Sequence, residues 1–199
     1  MLRPLPGSSG KAAAVIANAL SLGYDFTIPA KESFGARSVR VARVIFPEFL
    51  LNEAITWCRR NLPAEACGLL GGWVQTGEVR PGSESDQEAD GMAGIAEVVV
   101  GKVYPIENIE REARGTRYFL DPRGQLAAIK DAERAGMEIV GAFHSHVASP
   151  ARPSQLDIEL AQYPEWVWMI VSMRDSERPE VGVFSIVDGT VERIDLIVR

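Results

Sequence analysis

The sequence predicts an α/β fold, a mixed β-sheet with helices on its faces. Three observations lead there. Strand-like and helix-like segments alternate from about Val39 onward. The apolar strands are bounded by Gly, Pro and Asp. The chain closes on a hairpin pattern around Asp188-Gly189, which an all-parallel sheet would not contain.

Each element has its own signal. SVRVARVIF (38–46) reads as a strand, with Val39, Val41 and Val44 apolar among arginines. Pro47 opens a helix, where its missing N–H costs nothing, and Leu51, Ile55, Cys58 and Leu62 are the expected buried stripe. CGLLGGWVQ (67–75) and AEVVVGKVYPI (96–106) are strands, and TRYFL (116–120) is expected as a short one. Between the first two lies TGEVRPGSESDQEADGMAG (76–94), acidic and Gly-rich, with almost nothing to bury. Asp121-Pro122 caps and starts a helix that Gly136 ends. MEIVGAF (137–143) is a buried strand leading into two histidines. SQLDIELAQY (154–163) is a short helix stopped by Pro164, EWVWMIVSM (165–173) a strand, and VGVFSIVDGTVERIDLIV a terminal hairpin with a type I′ turn.

Bulk properties bound the function. At 46% apolar and 24% charged, the 199 residues have the composition of one soluble globular domain. Residues 1–37, punctuated by Gly and Pro, read as an N-terminal extension of unknown role, and 38–199 as the folded domain. A net charge of -6 with scattered arginines weighs against a nucleic-acid partner. No segment approaches the roughly 18–20 apolar residues of a membrane span. The Ala-rich run 12–23 only loosely imitates a signal peptide, and Cys58 and Cys67 do not suggest a disulfide scaffold, so a cytoplasmic protein is expected.

Both histidines of the chain lie in FHSHVASPARPSQLD (143–157). Residues two apart on a strand face the same side, so His144 and His146 project together and Ser145 points away from them. Ser154 and Asp157 form a capping-box signature, which alone is structural. Yet a loop stiffened by Pro150 and Pro153 can fold that first helical turn over the rings, where Asp157 completes a His₂Asp set. Three N/O ligands with a position left for water describe catalytic zinc, whereas structural zinc is usually closed by thiolates.

The motif His144-x-His146-x7-Ser154-x2-Asp157 resembles the signature of the JAMM (MPN+) metalloproteases, and the resemblance covers roughly 38–199. That family carries a further Glu upstream, before a Cys-Gly-Leu-like run, and LPAEACGLLGG supplies Glu65 in that setting. Val147 stands where many members have Pro, which alters the loop and removes no ligand. The compact form looks most like the stand-alone bacterial branch, whose members process sulfur-carrier proteins.

The resemblance implies the JAMM/MPN architecture, which is cytidine-deaminase-like. It also implies Zn²⁺ held by His144, His146 and Asp157, with a zinc-bound water as nucleophile. Glu65 would be the acid/base, and Ser154 would stabilise the oxyanion. The substrate implied is an amide bond at the C-terminal Gly-Gly tail of a ubiquitin-like or sulfur-carrier protein. Zinc deaminases need H-x-E followed by P-C-x-x-C, and both are absent. A non-catalytic MPN scaffold would have lost ligands, and a RadC-like DNA-associated role fits poorly with the acidic balance. With no third histidine to activate it, Cys67 reads as a small core residue.

Overall fold

A computed structural model describes residues 40–77 and 95–199. The extension 1–37 and nearly all of the acidic connection, including Glu78, Glu84, Asp86, Glu88 and Asp90, lie outside the described residues. The elements in order are β1 (Arg40–Phe46), α1 (Glu48–Asn61), β2 (Cys67–Gly77), β3 (Ile95–Ile106), α2 (Pro122–Arg134), β4 (Glu138–His146), α3 (Gln155–Leu160), β5 (Val167–Ser172), β6 (Glu180–Val187), β7 (Thr190–Arg193) and β8 (Asp195–Val198). Among them no helix is long and apolar enough to cross a membrane.

The eight strands form one mixed sheet in the order β7-β6-β5-β4-β2-β3-β1-β8. The pairs β4/β5, β1/β3 and β1/β8 are parallel, and the others antiparallel. Period-two alternation sorts the side chains onto two faces. Leu70, Phe143, Met169 and Val171 pack with Leu50, Ala54 and Cys58 of α1. Leu69, Ala142, Trp168 and Ile170 pack with Ala128 and Ala132 of α2 and with Ile158 of α3. Helices therefore cover both faces, as the alternating pattern required. Neighbouring strands approach closely at Gly68, where a Cβ would collide with the Phe143 ring and the Tyr104 carbonyl oxygen.

Four expectations need correction. The buried stripe of α1 runs through Leu50, Ala54 and Cys58, with Leu51, Ile55 and Leu62 half-buried at its margin. TRYFL is not a strand: only Leu120 bridges, to Asn108, and the Asn108 side chain takes the place of a ladder partner for Arg117 and Phe119. The helix of 154–163 ends at Leu160, short of Pro164, with Ala161 already extended. The strand of 137–143 continues through His146, so the histidines are part of the sheet.

The C-terminus departs further from expectation. β6 and β7 do form the hairpin, with Asp188 and Gly189 both at positive φ as a type I′ turn requires. After the buried Ile194, however, β8 pairs parallel to β1 at the opposite edge of the sheet. Eight flat strands would hold their edges roughly 30 Å apart, at about 4.8 Å per strand. A single linking residue spans about 7 Å at most, so the sheet must curl until its edges meet.

Candidate active site

β4 is a central strand, paired on one side to β2 and on the other to β5. Its register sets His144 opposite Cys67 and Ile170, and His146 opposite Ser172. Both rings fall on the face covered by α2 and α3, and both are buried, His144 at 2% exposure. Their centroids are 4.9 Å apart, and their Nε2 atoms 3.1 Å.

Asp157 arrives from the first turn of α3. The Ser154 hydroxyl accepts from the Asp157 N–H at 3.2 Å, and the Asp157 carboxylate accepts from the Ser154 N–H at 2.7 Å, so the capping box is fully made. The same carboxylate places Oδ1 3.2 Å from His144 Nε2 and Oδ2 3.4 Å from His146 Nε2. The capping reading holds, and the box aims the carboxylate at the two rings.

Three ligand atoms from His144, His146 and Asp157 lie within 4.8 Å of one another. This donor set fits zinc, and a detail of His146 supports it. Its Nδ1 is 2.9 Å from the Pro150 carbonyl oxygen, which can only accept, so Nδ1 carries the proton and Nε2 is left to coordinate. The loop holding Pro150 is tied down by Ser172, whose hydroxyl donates to the Ser149 carbonyl at 2.7 Å. Burial opposes charge on Asp157, but the adjoining His144 and His146 outweigh it and hold the carboxyl well below the usual range.

Glu65 precedes β2, outside the regular strand, yet the sheet places it. The antiparallel register Cys67↔His144 continues by one pair: Ser145 N–H donates to the Ala66 carbonyl at 2.9 Å, and Ala66 N–H donates to Ser145 Oγ at 2.8 Å. One step further sets Glu65 across from His146, on the same face. Glu65 is 6% exposed. Burial pushes its carboxyl up to about 7; the nearby His146 lowers it and Asp157 raises it. Ser145, facing away from the rings as strand alternation requires, is the fastener between the histidine strand and the residue after Glu65.

The thiols behave as core groups. Burial pushes Cys58 up to about 12 and Cys67 higher still. Two further residues belong to the site and were not singled out from sequence. Tyr118 stacks its ring on His144 at 4.7 Å, and Asn108, buried, donates from Nδ2 to the Glu65 carbonyl at 2.9 Å. Both lie in 107–121, a stretch without periodicity, where only an Asn two residues past a strand hinted at a side-chain turn.

With a His₂Asp donor set beside a buried carboxyl poised near neutrality, the fold and site define a JAB-domain protein. The chain belongs to the prokaryotic homologs of the JAB domain, whose family model matches residues 47–185. It is similar to a protein of Mycobacterium tuberculosis (strain H37Rv) named CysO-cysteine peptidase, 34% identical over 142 residues that cover 71% of this chain and 82% of that one. It is also similar to the desampylase of Haloferax volcanii, 33% identical over 62% of this chain and 73% of that one. The solution structure of protein DSY2949 from Desulfitobacterium hafniense superposes with a TM-score of 0.62 at 31% identity, covering 78% of this chain and 92% of that one. The resemblance read from the histidine motif is therefore borne out at the level of family and fold.

Proposed function

We propose that residues 38–199 form a zinc-dependent peptidase of the cytoplasm. It hydrolyses the amide bond at the C-terminal Gly-Gly tail of a ubiquitin-like protein, of the sulfur-carrier kind. The observation that carries this reading is one constellation: three ligand atoms within 4.8 Å and, facing His146, a buried carboxyl pushed up to about 7. Relatives named CysO-cysteine peptidase, desampylase and probable TtuB-protein conjugate cleaving protease support the substrate class.

His144, His146 and Asp157 would hold the metal. When bound, zinc supplies a Lewis acid that acidifies a water and polarises the scissile carbonyl. Glu65 would serve as proton acceptor for the attacking water and as donor to the leaving amine, work suited to a buried carboxyl pushed up to about 7. The Ser154 hydroxyl donates to Asp157 Oδ2 at 2.6 Å. It becomes an oxyanion donor only by turning that proton from the carboxylate towards the substrate.

The test uses a ubiquitin-like carrier whose Gly-Gly terminus is joined through an amide to cysteine, with the free carrier followed by mass spectrometry. Expected is release of the carrier with its Gly-Gly end intact, and no release when the terminal Gly is replaced by Ala. An inert carrier conjugate, with equal turnover of unrelated peptides, would contradict the proposal.

A further inference from the structure

We propose that Asn108 is a positioning residue, one that ties the main chain of Glu65 to the segment carrying Tyr118, so that the base and the histidine site hold a fixed relation. The inference rests on the reading of Glu65 as the acid/base. Asn108 is 3% exposed and uses every hydrogen-bonding capacity of its side chain. Oδ1 accepts from the N–H groups of Glu110 and Phe119, each at 3.0 Å. Nδ2 donates to the carbonyls of Glu65 at 2.9 Å and Arg117 at 3.1 Å. Two N–H donors on one side and two carbonyls on the other fix the orientation of the amide.

A buried Asn that knots its own loop is ordinarily structural, and three of these bonds do just that. The fourth is different. A bond to the Glu65 carbonyl, 43 residues away in sequence, does nothing for the loop. The loop also returns a second bond to the same residue, because Glu65 N–H donates to the Arg114 carbonyl at 2.6 Å. The Arg114 side chain in turn donates from Nη2 to the Asn108 carbonyl at 2.7 Å. The segment then runs to Tyr118, whose ring lies on His144 with an interplanar angle of 25°. Ser145 fixes Ala66, and Asn108 with Arg114 fixes Glu65 itself. All four main-chain polar groups of Glu65-Ala66 are held from outside α1 and β2.

Asn108→Asp separates the two halves of the amide. It keeps the acceptor for Glu110 and Phe119, but turns a carboxylate oxygen on the Glu65 and Arg117 carbonyls. The variant should fold and keep its zinc. Its kcat on the Gly-Gly conjugate should fall about 10²-fold, the scale of loss a small displacement of a catalytic group produces. KM should stay within about threefold, since no substrate contact is removed. Amide exchange at Glu65, measured without substrate, should rise about tenfold or more as the segment loosens. Arg114→Ala, at an exposed side chain, should give the same pattern more weakly, with kcat down about threefold.

Wild-type kcat and wild-type Glu65 exchange in both folded variants would overturn the proposal. So would a loss of turnover that only tracks lost zinc or a smaller folded fraction. Should Asn108→Asp fail to fold, Arg114→Ala decides alone. Should the wild-type chain cleave no Gly-Gly conjugate, the proposed function fails, while Glu65 exchange still tests the tie.

Discussion

The histidines and the glutamate are held in opposite ways. His144 and His146 are members of a central strand, and ladder bonds to β2 and β5 place them as they place any core residue. Glu65 belongs to no strand or helix. It sits between α1 and β2, where Asn108 and Arg114 hold its backbone and Ser145 holds that of Ala66, all from distant parts of the chain. A metal ligand must keep its distance to two other ligands, and a sheet gives that rigidity directly. A buried carboxyl pushed up to about 7 by desolvation resists being where it is, and irregular backbone must be pinned to keep it there. The lesson is that the same site combines a scaffold that holds itself and a residue that has to be held.

The strongest break falls on the self-held part. A His144→Ala, His146→Ala double variant should carry no zinc by metal analysis and lose turnover by on the order of 10³-fold or more, the scale of several kcal/mol of lost Lewis-acid stabilisation. Asp157→Ala should weaken zinc by at least the roughly 10–100-fold that losing an outer-shell partner costs. It should also fray α3, since it removes half of the capping box. Full zinc occupancy in the double variant would put the metal elsewhere.

Next comes the held part. Glu65→Gln keeps the shape and the main-chain ties but removes the proton acceptor. Zinc should stay while kcat falls about 10²-fold or more. Near-wild-type turnover would assign the base to another residue.

How much of this contrast was legible in the sequence follows from the same division. The His₂Asp set was readable because its spacing is local: strand alternation pairs the rings, and a capping box orients Asp157. Glu65 was found only through a family resemblance, since its place depends on the β2/β4 register, which no local pattern states. Asn108 went unread because a side-chain amide standing in for a ladder partner leaves no periodic signal, and Tyr118 was read only as part of TRYFL, whose residues suit a strand. The turn at Asp188-Gly189 was plain, but the crossing of β8 to β1 depends on the curl of the whole sheet. Ala54, fully buried, was passed over because a small residue adds little to an apolar pattern.

A smaller effect probes the fastener. Ser145→Ala removes the acceptor for Ala66 N–H at a fully buried position, which should cost about 1–3 kcal/mol. At roughly 2–4 °C per kcal/mol for a chain of this size, the melting temperature should drop by about 2–12 °C. Turnover per folded molecule should fall as well, because Glu65 loses its neighbour's anchor. A lower melting temperature with unchanged turnover would show that Asn108 and Arg114 suffice.

The smallest effect concerns stability in metal-free protein, and its sign follows from the raised carboxyl. Between the ordinary 4.5 and about 7, Glu65 holds its proton only when folded, so its contribution to stability grows as pH falls through that window. Above about 7 the folded state bears a buried charge that Gln lacks. Metal-free Glu65→Gln should therefore melt higher than wild type at pH 8, by roughly 2–4 °C for each kcal/mol relieved. The gap should narrow as pH falls from 7 towards 4.5. A gap that widens on acidification would mean the carboxyl is not raised.

The most direct test follows zinc and turnover on one sample. Purified wild-type chain should carry about one zinc per molecule, release a Gly-Gly-tailed carrier from its amide conjugate, stop when a chelator strips the metal, and resume as zinc is added back to one equivalent. A zinc-free sample that cleaves the conjugate at the untreated rate would contradict the account.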